Sequence, residues 1–389
     1  MLMNAIQNLF KKPFFNSEKQ LTRIYLIVCI LISLKIVFLE TCDNYDCFKA
    51  SWFHLIGNLD LYLMYPQEYH TEYNYSPFFA FMMGAFANFP NGVGIVLWNI
   101  VNTIPFLVAV HLLPVSAKNK VYLLWFCLVE FITAAESVQT NSNVAAFIML
   151  VLIYQQKEKT TWSSFFLVFG FFFKIYVLTA GVFFLCYKNK GSFIIKSIGW
   201  TLLFLGLPLL VVSPDQLIFL YQSWIERLQA QSERNSMSII GVIGDYFPNA
   251  VPQGWIVLTG TIAMLLVLLK KEVYHNLQYR LLYLAGILLF TVVFNPGVES
   301  PSYIIGVAGA ALWYINRNRP GWHTWIMVLV FVFTCLSPTE VFPGYIKDNF
   351  FKPWHVKAIP CIIVWFICMY ELYIYKPGST EGERSAQIS

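Results

Sequence analysis

The 389-residue sequence predicts an all-α polytopic membrane protein, a multi-spanning bundle of about 12 membrane segments with one re-entrant and one interfacial helix. Three observations predict it. Charged residues make up 12% of the chain, where a soluble domain carries roughly 25%. The mean hydropathy is +0.59. Apolar runs such as QLTRIYLIVCILISLKIVFLE (20–40) recur throughout, and a helix of roughly 20 such residues crosses a hydrocarbon core. A β-barrel would need strand-length alternation of apolar and polar residues, which these unbroken runs lack.

The segments read as 20–39, 92–113, 122–137, 143–156, 160–173, 175–187, 193–212, 255–270, 280–294, 300–315, 323–338 and 358–375. The leftover run 76–90 is read as re-entrant, because a single crossing there would reverse every later loop. Without that crossing, most lysines and arginines fall on one side, together with both termini, which makes that side cytoplasmic. The carboxylates then gather on the other face, with Asp43, Asp46, Asp60, Glu68 and Glu72 all inside 41–77. Polar islands accompany them: ESVQTNSN (136–143), Lys174 between two apolar runs, SERNSMSIIGVIGD (232–245) and NPGVESPS (295–302). Residues 1–375 form one transmembrane domain; 40–75 is its first extracytoplasmic loop and 213–254 a second large outer loop. Residues 376–389 read as a disordered cytoplasmic tail. FKASWFHLIGNLDLYLMY starts as an amphipathic helix whose face of Phe48, Trp52, Leu55 and Ile56 suits the headgroup layer, and the basic AIQNLFKKPFF near the N-terminus suits the inner leaflet.

Composition excludes some functions. The basic residues lie in short clusters between spans, as cytoplasmic anchors do, so nucleic acid is not an expected partner. The eight cysteines show no metal-ligand spacing, and no metal or other cofactor is expected. Cys42 and Cys47 lie in the first outer loop, where a disulfide is open to them. A transporter would carry inverted repeats and ionisable groups at mid-membrane depth; only Lys35 and Glu130 stand in mid-span. The chemically capable groups sit at span ends, which suits an enzyme drawing a lipid-borne substrate from the bilayer. A transporter or flippase of a lipid-linked sugar is the rival reading.

The order of islands resembles the polyprenol-phosphate-mannose-dependent mannosyltransferases of glycosyltransferase family 87, which have the GT-C fold. The resemblance is carried by NYDCFKASWFHLIGNLDLY, by YNYSPFFAFMMGAFANFPNGVGIVLWNIVN, and by TNSN, FFFKIYVL and NSMSIIGVI. The spacing of Tyr73, Tyr75, Pro77, Pro90, Trp98 and Asn102 is its most specific part. It implies a cell-envelope transferase that moves a hexose, mannose above all, from a polyprenyl-phosphate donor to a hydroxyl of a glycan or glycolipid. Transfer inverts the anomeric carbon in the inner (plasma) membrane, with membrane lipids as surroundings.

The resemblance also implies a carboxylate base in the first outer loop. Counting back from Phe48, that position falls on Asn44, which cannot take a proton, so Asp46 and then Asp43 are expected to serve; the alternative is loop solvation and helix capping. Glu299 stands where relatives carry a polar or histidine residue facing the sugar, the alternative being helix capping. Asn141 and Asn143 resemble the family's G-Q-x-N, with Thr140 and Asn141 in place of its glycine and glutamine and Gln139 able to stand in; they bind substrate or cap the helix. From the residues themselves, Lys174 is a charge between apolar runs that a lipid phosphate would neutralise, unless it snorkels. Arg227 and Arg234 could grip phosphate or acceptor. Tyr75 could stack on sugar or anchor its segment, and His54 could hydrogen-bond sugar or pack.

Overall fold

The computed structural model of the protein describes residues 12–231, 236–247, 251–316 and 319–376, and these are helical with no strand. The basic start at 1–11 and nearly all of the expected tail lie outside the described residues. Among the described residues three helices are long and apolar enough to cross a bilayer: Glu18–Leu39, Asn91–Leu112 and Lys190–Leu210. The other apolar helices have 10–17 residues, so at 1.5 Å per residue they fall short of a core about 30 Å thick. Helix length therefore supports a membrane protein without delivering the expected count of spans.

Helix α1 (Glu18–Leu39) starts at Ser17, whose side chain accepts from the Gln20 N–H. It buries Leu21, Tyr25, Cys29, Ile32 and Ile36, a stripe at helical spacing. The outer layer at one end of the bundle is built by α2 (Asp43–Ile56) and α3 (Pro77–Ala87). Both ends of α3 lie at that same end: the Ser76 hydroxyl donates to the Phe172 carbonyl at 2.7 Å, and Lys49 of α2 donates to the Phe89 carbonyl at 3.2 Å. This 11-residue helix thus begins and ends at the same end of the bundle. The expected interfacial face of α2 turns into protein instead: Phe48 and Leu55 are buried, with Phe48 edge-on to Tyr75, Phe79 and Trp98. Ile56 and Phe53 remain exposed. Cys42 and Cys47 are separate buried thiols, so the open disulfide is not formed.

Helices α4 (Asn91–Leu112), α5 (Ala117–Glu136) and α6 (Asn141–Gln156) follow. Every residue of α6 from Asn141 to Ile153 is buried, so this helix forms the axis and is apolar all round below its first turn. Next come α7 (Thr160–Phe173) and a 3-10 arm, Ile175–Cys186. They fold into an antiparallel hairpin with Lys174 at its tip: a Cβ on Gly170 would meet Val177 at 2.7 Å, and one on Gly181 would meet Leu167 at 3.3 Å. Fourteen α residues span about 21 Å, and twelve residues drawn out as 3-10 helix span about 24 Å. The stretched helix lets the shorter arm keep pace with its partner.

Helix α8 (Lys190–Gly206) leads to α9 (Pro214–Gln231) and α10 (Ile239–Tyr246), so the expected loop 213–254 is largely helical. Leu217, Leu220 and Trp224 form the buried stripe of α9. The bundle closes with α11 (Gln253–Leu266), α12 (Leu277–Val293), α13 (Tyr303–Ile315), α14 (Gly321–Leu329) and α15 (Ile359–Tyr373). Lys35 does not stand alone in mid-span; near the end of α1 it pairs with Glu40 and Glu136, both at 3.0 Å.

Glu130 is fully buried on α5, and its Oε1 pairs with Lys357 Nζ at 2.7 Å. The ammonium also lies 5.1 Å from the centroid of the Tyr303 ring. Removing one member of a buried pair strands the other charge, at a cost of about 3–5 kcal/mol, whereas an apolar replacement of both is often neutral. Thermal unfolding in detergent should therefore show a large loss of stability for Glu130→Leu and recovery in the Glu130→Leu/Lys357→Met double variant.

Candidate active site

A cavity of about 520 Å³ opens where the hairpin tip meets the first loop (41–77), α9, α11 and the 295–299 segment. One wall is polar, with Asn44, Glu72, Asn74, Gln139, Lys174 and Glu299; the other is apolar, with Ile175, Leu178, Val257, Phe290 and Phe294. Leu178, on this apolar side, is itself 56% exposed.

The break in the helix at Lys174 explains its position. Its backbone leaves the helix (φ −148°, ψ 123°), which ends α7 and projects the side chain from the tip. Lys174 Nζ donates to Asn141 Oδ1 at 2.8 Å, Asn141 Nδ2 to Gln139 Oε1 at 2.9 Å, and Gln139 Nε2 to Glu299 Oε2 at 2.8 Å. An ammonium only donates and a carboxylate only accepts, so the two ends fix the orientation of both amides between them. Among the described residues Lys174 meets no carboxylate directly. Its other neighbours are the rings of Tyr75 and Tyr176, whose centroids lie 6.0 and 5.9 Å away.

Two local features aim this chain of amides. Val138 takes a left-handed backbone (φ 54°), a conformation costly to a β-branched residue, and its carbonyl accepts from the Trp98 indole at 3.1 Å. The turn swings Gln139 toward Glu299 before α6 begins. Asn141 and Asn143 are then two residues apart on a helix and point to nearly opposite faces. Asn141 reaches Lys174, while Asn143 donates to Asn102 at 2.7 Å inside the core. The Trp98–Asn102 spacing thus serves to join α4 to Val138 and α6.

Across the cavity Arg227 pairs with Glu72 and donates from Nε to Asn74 Oδ1 at 2.7 Å. The Trp224 indole reaches the Asn74 carbonyl at 3.4 Å. Helix α9 is thereby tied over the first loop. Tyr75 lines the cavity with its ring stacked on Phe79, centroids 4.2 Å apart, and its hydroxyl 3.3 Å from Thr140 Oγ1.

The expected bases are not brought to this cavity. On α2, Asn44 and Phe48 line it, and Asp46, two residues beyond Asn44, is directed some 200° away around the helix. Asp46 Oδ1 instead accepts from Asn91 Nδ2 at 2.8 Å. Burial, then the charge of Asp43, pushes the Asp46 carboxyl above its ordinary value, against Lys49 and the Asn91 bond. Asp43 is exposed. His54 is buried outside the lining, with Nε2 3.0 Å from Glu68 and its ring 4.0 Å from that of Tyr65. Arg234 lies outside the described residues. The cavity also takes residues not expected from the sequence, chiefly Glu72, Asn74, Tyr176 and Trp224; the crowd of acids and aromatics in the first loop hinted at Glu72 and Asn74, and nothing local marked the other two.

A second cavity of about 400 Å³ holds Lys347, Lys352, His355 and Lys357. Each of these is already paired with a carboxylate: Glu340, Asp348, Asp245 and Glu130, respectively. Among the described residues no three His, Cys, Asp or Glu side chains gather as a metal site.

The sequence model of glycosyltransferase family 87 matches residues 73–296, more than half of the chain. The chain belongs to glycosyltransferase family 87. No curated protein matches it. The part of this family 87 glycosyltransferase that matches includes Tyr75, Gln139, Asn141, Lys174 and Arg227, and it stops just short of Glu299. Asn44 and Glu72 precede it.

Two variants separate the cavity from its surroundings. Asp46→Ala removes one hydrogen bond, worth about 1 kcal/mol, and should lower thermal stability slightly while leaving sugar transfer near the wild-type rate. Gln139→Leu cuts the amide chain between Lys174 and Glu299 and should slow transfer at least about tenfold, or ~1.4 kcal/mol in the barrier.

Proposed function

We propose that this glycosyltransferase moves a hexose, mannose foremost, from a polyprenyl phosphate to an acceptor hydroxyl with inversion, using a GT-C-type bundle. Its site would face the extracytoplasmic side of the inner (plasma) membrane, a reading that the charge distribution along the sequence supports. One observation carries the reading: Lys174 presents an ammonium held by a neutral amide and two tyrosine rings, at the border between polar and apolar walls.

The chemistry follows from that border. A lipid phosphate leaving the sugar is already anionic, so it needs a cation and hydrogen-bond donors placed where its charge develops. Lys174 supplies the cation at the depth where a phosphate headgroup meets its chain. Exposed Leu178 and the apolar wall of Val257, Phe290 and Phe294 receive the first isoprenoid units. Tyr75, Tyr176 and Trp224 give ring faces for the sugar. The acceptor would be a glycan or glycolipid at the polar mouth. Below the cavity, α6 is buried on every side from Val144 to Ile153, which supports transfer at one face over passage through the bundle.

The test is transfer by the purified protein from a panel of labelled polyprenyl-phosphate sugars. Mannosyl transfer is expected, together with thermal stabilisation by the unglycosylated polyprenyl phosphate. Lys174→Met should raise the donor KM at least about tenfold, the loss expected of one charge-assisted contact (roughly 1.5–3 kcal/mol), and should remove that stabilisation. Absence of both transfer and stabilisation across the panel would overturn the reading.

A further inference from the structure

We infer that Glu299 is the general base that takes the proton of the acceptor hydroxyl, an assignment that rests on the sugar-transfer reading above. A sugar hydroxyl is a poor nucleophile, and a positioned carboxylate removing its proton as the new bond forms is worth about 10²–10⁴-fold. The first loop carries Asn44 on the cavity wall, where an amide takes no proton. Its Nδ2 is already given to the Ser137 carbonyl at 2.8 Å, and its Oδ1 lies 3.5 Å from Thr71 Oγ1. Asp43 and Asp46 face elsewhere. The carboxylates lining the cavity are Glu72 and Glu299.

These two differ in what holds them. Glu72 is clamped by the guanidinium of Arg227, which engages the electrons that a proton would need. Glu299 touches no cation among the described residues. Its Oε2 accepts one neutral hydrogen bond, from Gln139, while among the described residues none engages Oε1. The side chain is held in direction without being spent.

The amide chain also ties the base to the cation. Lys174, Asn141, Gln139 and Glu299 form one line of donors and acceptors with a single sense. The ammonium that receives the leaving phosphate and the carboxylate that receives the proton are thus registered on one scaffold. In the step itself, the acceptor oxygen forms its bond to the anomeric carbon as the bond from that carbon to the phosphate oxygen breaks. The bonding pair departs on the phosphate, which leaves as polyprenyl phosphate beside Lys174. The hydroxyl proton passes to Glu299 and later to solvent. Attack opposite the departing phosphate inverts the centre.

The experiment uses the full chain in detergent or nanodiscs with labelled polyprenyl-phosphate mannose. Glu299→Gln keeps an oxygen for Gln139 to donate to, so the amide chain survives. It should lower kcat about 10²–10⁴-fold, abolish the rise of rate with pH on the acid side, and leave both donor KM and stabilisation by polyprenyl phosphate unchanged. Glu72→Gln should retain the acid-side rise. Wild-type transfer with an active Glu299→Gln overturns this inference alone, as does a Glu299→Gln variant that loses donor stabilisation, since Glu299 would then be a positioning residue for Lys174. A wild-type protein that transfers from no polyprenyl phosphate overturns the functional reading and this inference with it.

Discussion

An ammonium at the tip of an apolar hairpin is the constraint around which the site is arranged. Lys174 follows three phenylalanines and precedes an isoleucine, and a charge among such neighbours is costly unless polar groups reach it. Here the groups that reach it are neutral. Asn141 meets it from the first turn of α6, with Gln139 behind Asn141 and Glu299 behind Gln139. The compensating negative charge therefore stands two amides away, leaving the ammonium able to receive an anion. Glu130 and Lys357 show the opposite solution, direct contact at 2.7 Å deep in the bundle, and that pair is suited to holding helices together.

The hairpin that presents Lys174 relies on its backbone. Gly170 admits Val177 where a Cβ would collide, so the two arms close on each other. The second arm is drawn out as 3-10 helix over twelve residues, longer than such helices usually run, and the extra rise brings its far end level with that of α7. Burial of α6 on all sides then fixes the floor beneath the tip. A rigid floor matters because a transfer site loses rate steeply when its groups drift by an ångström.

Over this floor the first loop and α9 form a roof. Arg227, Glu72 and Asn74 join residues far apart in the chain, and Trp224 adds an aromatic wall. The same segment carries the crowd of acids that sets 41–77 apart, and they have separate duties. Asp46 holds Asn91, Glu68 holds His54, Glu72 holds Arg227, and Asp60 accepts from the Tyr62 N–H at 3.0 Å. Their concentration reflects one well-tied surface loop, and of these acids Glu72 alone lines the cavity.

Composition and run length determined the membrane class and helical build of the protein, because hydrocarbon leaves a backbone few other ways to satisfy its polar groups. The islands at span ends also marked Lys174, Gln139, Tyr75 and Glu299, which the fold brings to one cavity, since polar residues are scarce enough in such a chain to be conspicuous. Helix phase was not legible to that depth. Asn44 and Asp46, or Asn141 and Asn143, are equivalent as members of a polar cluster, yet 200° of rotation separates a lining residue from a structural one. The ion pair of Glu72 with Arg227 was hidden for a different reason: it joins residues 155 positions apart. Only the packing of α9 across the first loop decides that meeting, because contacts between distant segments depend on how whole helices seat against one another and not on any local pattern.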